Sequence, residues 1–193
     1  DYDQGMQDKI RTICNEILHT SDDRSKSVYD RAWTKRDSCE SYRWKRKEKY
    51  LQDAINEYSK RLSKYCKLNI VELPDEKIPE KLNTNIENDI KSKECTNMIN
   101  HIKKDSYIIC LDLNGKEFSS EQFSKKIEDI SMESSQITFV IGGSLGLNQE
   151  ILSLANQKIC FSKMTFPHQL IRVFLLEQIF RAFKISNGET YHR

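Results

Sequence analysis

The stretch Ile137-Thr138-Phe139-Val140-Ile141-Gly142-Gly143-Ser144-Leu145-Gly146 decides the fold. Five consecutive apolar or β-branched residues run straight into a glycine turn. A strand of this kind is apolar on both faces, as central parallel strands are. Glycines at its end permit a tight turn and a close approach of backbone to a ligand. The turn lacks the spacing of a dinucleotide fingerprint, and no Gly-Lys-Ser/Thr follows to make it a phosphate loop. Taken alone, the run leaves both a structural turn and a ligand cradle open.

Working outward, helices and strands alternate. Ser119 with Gln122 forms a capping box for a helix ending near Ile130, and residues 107–113 read as a strand closed by a turn at Asn114-Gly115. Farther upstream, the pattern gives a helix over residues 90–102, a polar loop through Asn83 and Asn88, and a strand over residues 68–73. Before these, a helical stripe comprises Tyr50, Leu51, Ala54, Ile55, Tyr58 and Leu62. Downstream, Asn148 caps a short helix carrying Ile151, Leu152 and Leu154, and residues 159–161 resume a strand. A long amphipathic helix then runs over residues 168–185 and stops at Asn187-Gly188. Strands separated by helices imply an α/β fold with a largely parallel sheet. The last helix is apolar over more than one stripe, which fits burial against a second copy of the chain as well as burial in its own domain.

Composition bounds the function. The 193 residues carry a net charge of only +2 although 31% are charged, so the chain as a whole is no electrostatic sponge for nucleic acid. No segment approaches the roughly 20 apolar residues of a membrane span, and no signal-peptide pattern opens the sequence. A soluble, cytoplasmic protein is expected. The six cysteines are widely spaced without a two-residue gap, and the four histidines are scattered, so reduced thiols and no metal site are expected.

The blocks Leu111-Asp112-Leu113-Asn114-Gly115-Lys116, Phe139-Val140-Ile141-Gly142-Gly143-Ser144-Leu145-Gly146-Leu147, Phe161-Ser162-Lys163-Met164-Thr165-Phe166-Pro167-His168 and Gly188-Glu189-Thr190-Tyr191-His192-Arg193 closely resemble the large-subunit ribosomal RNA methyltransferase H family, of the SPOUT class. The resemblance covers residues 45–193. It implies a SPOUT-type parallel sheet with a C-terminal trefoil knot, S-adenosylmethionine as methyl donor, and a homodimer with the cofactor site near the interface. It also implies methylation of N3 of a pseudouridine in large-subunit (23S) ribosomal RNA on the ribosome. Matched block by block, the implied cofactor contacts are Leu111, Gly142, Phe161, Ser162, Lys163, Met164, Thr165 and Phe166.

An N3 nitrogen carries a proton that must leave. His192 titrates in the useful range and is the first choice for a base or orienting group. Arg193 can hold a phosphate or a developing oxyanion, and Tyr191 completes the candidate trio. Without the resemblance, a terminal Tyr-His-Arg reads as a frayed tail. His168 fits a structural hydrogen bond at a helix start as well as catalysis, and Arg172 is placed to reach RNA or a partner subunit. The basic run Arg43, Lys45, Arg46, Lys47 and Lys49, interleaved with Tyr42, Trp44 and Tyr50, reads either as a solvated helix face or as an RNA contact.

Residues 1–44 depart from the family. The short hydrophobic strand that normally opens the fold is expected to be missing. Met6, Ile10, Ile13, Cys14, Ile17 and Leu18 suggest one amphipathic helix, and residues 25–36 a second, making a helical N-terminal segment ahead of the domain at 45–193. A sheet short of one strand leaves an exposed edge. A catalytically inactive knotted dimer that binds RNA or protein therefore stands beside the enzyme, as does a methyltransferase for a different RNA.

Overall fold

The computed structural model describes residues 14–21, 40–74, 76, 79, 81, 83–143 and 145–191, with side chains at 14–21, 40–48, 74 and 168 outside the description. Five parallel strands form one sheet: β1 (Cys14–Ser21), β2 (Ile70–Pro74), β3 (Tyr107–Glu117), β4 (Ile137–Ile141) and β5 (Gln157–Cys160), in the order β2-β1-β4-β3-β5. The helices are α1 (Glu40–Leu62), α2 (Thr84–His101), α3 (Ser120–Glu133), α4 (Gln149–Leu154) and α5 (His168–Ser186).

All five residues of β4 are buried, as the apolar run requires, because each of its faces meets a helical layer. On one face, Ile55 and Leu62 of α1, Phe123, Ile127 and Ile130 of α3, and Leu175, Ile179 and Phe183 of α5 close over Ile109, Phe139 and Ile141. On the other, Cys95 and Met98 of α2 and Ile151 of α4 cover Cys110 and Val140. Alternation along β3 and β4 thus divides the core in two.

The capping box at α3 is complete: the Ser119 hydroxyl accepts from the Gln122 N–H, and the Gln122 side chain accepts from the Ser119 N–H. Asn148 caps α4, and α5 ends before Gly188, whose φ is +65°. Most of the apolar surface of α5 is buried within its own chain. Leu175, Leu176, Ile179, Phe180, Ala182 and Phe183 are all core, while Phe174 is left 41% exposed.

Three expectations change. The helix expected over residues 6–18 is not what the described part of that segment forms: Cys14–Ser21 is a strand, parallel to β2 on one side and β4 on the other. The opening strand expected to be missing is therefore present, supplied by Cys14–Ser21, and the sheet is not short of it. Hydrophobic spacing over so short a run does not distinguish helix from strand, and a slot between two strands satisfies backbone groups on both sides. The remaining residues of the expected helical segment, 1–13 and 22–39, lie outside the described residues, and the expected boundary at 44/45 falls within α1. Second, α2 begins at Thr84 rather than near Ile90, because the Asn83 side chain accepts from the Ile86 N–H at 2.8 Å, making the asparagine a cap instead of loop. Third, β3 does not stop at Leu113 but resumes pairing at Lys116.

Candidate functional site

The third difference builds the site. Leu111 and Lys116 both pair with Ile159 of β5, so residues 112–115 leave the ladder as a four-residue bulge. Its shape is held locally. The Asp112 Oδ1 accepts from the Asn114 N–H at 2.7 Å. Gly115 lies so close to β5 that a Cβ there would stand 2.5 Å from the Ile159 carbonyl carbon, a separation only glycine permits.

This bulge, the turn after β4 and the segment after β5 wall a cleft of about 480 Å3 at the C-terminal end of the sheet. Ligands of open parallel sheets collect at that end, and the size suits a small organic ligand. Leu111, Gly142, Phe161, Ser162, Met164, Thr165 and Phe166 all line it, together with Asp112, Asn114, Leu147 and Ile171. Lys163 is not among the lining residues; its Nζ donates to the Leu113 carbonyl at 3.1 Å, tying the β5 segment to the bulge. The turn after β4 is tight: Gly146 N–H donates to the Gly143 carbonyl at 2.9 Å. A Cβ on Gly142 would meet Gly146 and Leu147 at 2.9–3.0 Å, so glycine is needed there to let the loop close on itself. Past β5, Ser162 Oγ accepts from the Met164 N–H at 3.0 Å.

The rim is apolar. Met164 is 71% and Leu113 49% exposed, and Phe166 meets Phe174 edge-on with ring centroids 5.5 Å apart. Beneath the cleft, burial pushes the Cys110 thiol up to about 12, which leaves it an unreactive core residue. A larger open hollow of about 940 Å3 lies at the other end of the sheet, beside Cys66, Leu68 and Ile70. There the hydroxyls of Ser59 and Ser63 are already donated to carbonyls of α1, and Lys64 and Lys67 complete the lining.

The tail is ordered against the far end of α5. Tyr191 packs edge-on against Phe180 at 5.1 Å and beneath the Arg181 guanidinium at 4.9 Å; Arg181 is itself paired with Glu177. Burial pushes the Tyr58 hydroxyl up, with Tyr191 and Glu177 adding to the effect. Glu189 accepts from the Tyr65 hydroxyl at 2.9 Å and pairs with Lys184; the Lys184 ammonium, followed by Tyr65, holds its carboxyl below the usual range. Residues 189–191 are thus no frayed end. Phe180 is nine positions along the helix from cleft-lining Ile171, about 14 Å at 1.5 Å per residue, and Tyr191 is not among the residues that line the cleft. His192 and Arg193 lie outside the described residues, as does the His168 side chain.

Arg172 does not reach outward. Its side chain is 7% exposed and pairs with Glu72 of β2, fixing α5 to the sheet. The basic run begins inside α1; of its side chains, the structure describes only Lys49, which is exposed. Sequence reasoning missed Asp112 and Asn114 as cleft residues because an Asx turn and a loop-out from a strand look alike in sequence. Among the described residues no group of three or more metal-capable side chains assembles, and no helix is long and apolar enough to cross a membrane.

The family model described as "Predicted SPOUT methyltransferase" matches residues 44–192, which include every wall of the cleft and exclude β1. A Clostridium acetobutylicum protein named ribosomal RNA large subunit methyltransferase H is 61% identical over 150 residues, covering 77% of this chain and 94% of that protein. A protein of the same name from Clostridium botulinum is 59% identical over 148 residues, covering 76% and 93%. A Clostridium perfringens relative, ribosomal RNA large subunit methyltransferase H 1, is 58% identical over 150 residues. With the matched segment carrying the parallel strands β2 to β5 and the whole cleft, this chain belongs to the SPOUT methyltransferase family.

Proposed function

We propose that the chain transfers a methyl group from S-adenosylmethionine to N3 of a pseudouridine in large-subunit ribosomal RNA on the assembled ribosome, as a cytoplasmic homodimer knotted through its C-terminal segment. The observation that carries this reading is the three-walled cleft: seven of the eight expected cofactor residues line it, and relatives that share most of the chain are named for ribosomal RNA methylation.

The cleft's chemistry suits an adenosine-bearing ligand. Backbone N–H and C=O groups of the loop after β5 can read an adenine edge, while Leu111, Ile171 and Phe166 enclose the ring. When bound, the cofactor supplies an electrophilic methyl on a sulfonium. The protein's work is to hold the acceptor nitrogen in line with it and to exclude water. His192 takes or orients the N3 proton, and Arg193 stabilises the charge that develops on the neighbouring oxygen.

Tyr191 packs on Phe180, about 14 Å along α5 from cleft-lining Ile171; in this reading the tail serves the cleft of a partner subunit. The exposed apolar rim of Leu113, Met164 and Phe174 supplies a surface on which a second copy can seat.

Labelled methyl transfer to 70S ribosomes lacking the modification, with nucleoside mass spectrometry, tests the proposal. Methylated N3 of the pseudouridine is expected. Cofactor binding without ribosomal product would overturn the substrate and leave a different RNA or a binding module. His192→Ala is expected to keep cofactor affinity and to lower transfer by about 100-fold or more; full activity would remove His192 from the reaction.

A further inference from the structure

The bulge at residues 112–115 has a charge as well as a shape. Among the described residues that line the cleft, Asp112 is the only carboxylate, and no lysine, arginine or histidine joins it. Everything else there is apolar, glycine, or an uncharged polar side chain. Asp112 is half-buried. Its Oδ1 accepts from the Asn114 N–H, and among the described residues its Oδ2 has no hydrogen-bond partner. Bulges beside functional sites commonly re-aim a side chain. Here three contacts fix the bulge: the Asx bond, the close passage of Gly115 over Ile159, and the Lys163–Leu113 clasp.

The Lys163 ammonium is held on the neighbouring Leu113 carbonyl, outside the lining, so Asp112 is the charge that faces the cleft, and it responds to the net charge of what binds there. If the ligand is the methyl donor proposed above, on which this inference rests, its two forms differ in one respect that a charge can sense. The ammonium and carboxylate of the methionine part cancel in both forms. The donor adds a sulfonium cation, whereas the product is a neutral thioether. During transfer the N3–methyl bond forms as the methyl–sulfur bond breaks; the electron pair stays on sulfur, and the N3 proton passes to the base or to solvent. The net positive charge of the ligand in the cleft therefore disappears with the reaction.

We propose that Asp112 is the specificity-determining residue of the cofactor cleft, its carboxylate favouring the sulfonium donor over the thioether product. The turn from Asp112 to Gly115 serves to hold that charge at the cleft. Product is then held less tightly than donor, and the cleft reloads without a conformational switch.

Calorimetric titration of the full chain with S-adenosylmethionine and with S-adenosylhomocysteine, in the absence of RNA, reads this directly. Asp112→Asn keeps the Asx acceptor and removes the charge. The donor-to-product affinity ratio is expected to fall by about 10-fold, as expected for one charge–charge interaction at close range in a partly wet site, with product affinity changed less than about 2-fold. Asp112→Glu keeps the charge and is expected to retain the preference for donor even if both affinities drop. In the unaltered protein the ratio is expected to narrow as salt is raised. An equal loss of both ligands in Asp112→Asn would show that the residue binds a part common to them, such as the ribose, or only shapes the loop. An unchanged ratio would overturn the proposal equally. Failure of the unaltered protein to bind either ligand would instead overturn the cofactor reading and this inference with it.

Discussion

The two ends of α5 are built on opposite terms. At its C-terminal end, Tyr65 stacks on Phe183 with ring centroids 5.6 Å apart, Tyr191 meets Phe180, and Glu189 takes both Tyr65 and Lys184. Side chains close that end. At its N-terminal end the cleft is shaped by close backbone, a glycine against Ile159 and a glycine folded on Leu147, with side chains serving to pin loops through the Asp112 Asx bond and the Lys163–Leu113 contact, and Met164 and Leu113 are left exposed at the rim. Aromatic and ionic contacts saturate the surface where the chain needs only to be held. Glycine-shaped backbone leaves unsaturated surface around the cleft. The same helix therefore separates a structural clamp from a binding site.

The strongest challenge to this contrast is Gly115→Ala. With β5 backbone only 2.5–2.8 Å from the added Cβ, the bulge or β5 must shift, at a cost of about 2–4 kcal/mol. Both the thermal midpoint and cofactor affinity are expected to fall. A variant that melts normally and binds normally would show that the bulge is not fixed by that close approach.

Gly142→Ala isolates the cleft from the core. Its contacts of 2.9–3.0 Å involve only the neighbouring turn, so cofactor affinity is expected to fall by about 10-fold or more while thermal stability changes by about 1–2 kcal/mol. A large stability loss with affinity retained would reverse the assignment of that turn.

Tyr191→Ala tests the other end. Loss of the Phe180 edge contact and the Arg181 stacking is expected to cost about 1–2 kcal/mol of stability, with cofactor affinity in the titration unchanged. Weakened binding at unchanged stability would place Tyr191 in a cleft rather than in the clamp.

The smallest effect belongs to Glu189. Its carboxyl is held below its ordinary value by Lys184 and Tyr65. The ionised form is thus favoured by folding, and its contribution is present above the unfolded carboxylate range and lost as pH falls through the lowered folded value. Glu189→Gln is expected to lower the thermal midpoint slightly near neutral pH, with the difference vanishing under acid conditions. A difference that persists at acid pH would mean that hydrogen-bond geometry, not charge, ties down the tail.

How much of this was legible in the sequence follows from the range of the forces involved. Local signals were readable: the Ser119-Gln122 box, the Asn148 cap, and the five apolar residues of β4 each act within a few residues. The family blocks likewise placed Leu111, Gly142 and residues 161–166, and all but Lys163 line one cleft. The residues of Cys14–Ser21 do not announce a strand because its strand state depends on partners more than 50 and 120 residues away. The inward turn of Arg172 is not legible locally because its partner, Glu72, lies 100 residues earlier in the chain.

The sequence by itself determined the alternation of helices and strands, the double-sided burial of β4, and the membership signalled by the glycine and tail blocks, because each is written in neighbouring residues. Only the tertiary structure decided that residues 14–21 complete the sheet, that residues 112–115 leave it to bring Asp112 to the cleft, and that Tyr191 is clamped away from that cleft. Each of these depends on which distant backbone comes within hydrogen-bond or van der Waals reach, and spacing along the chain does not encode that distance.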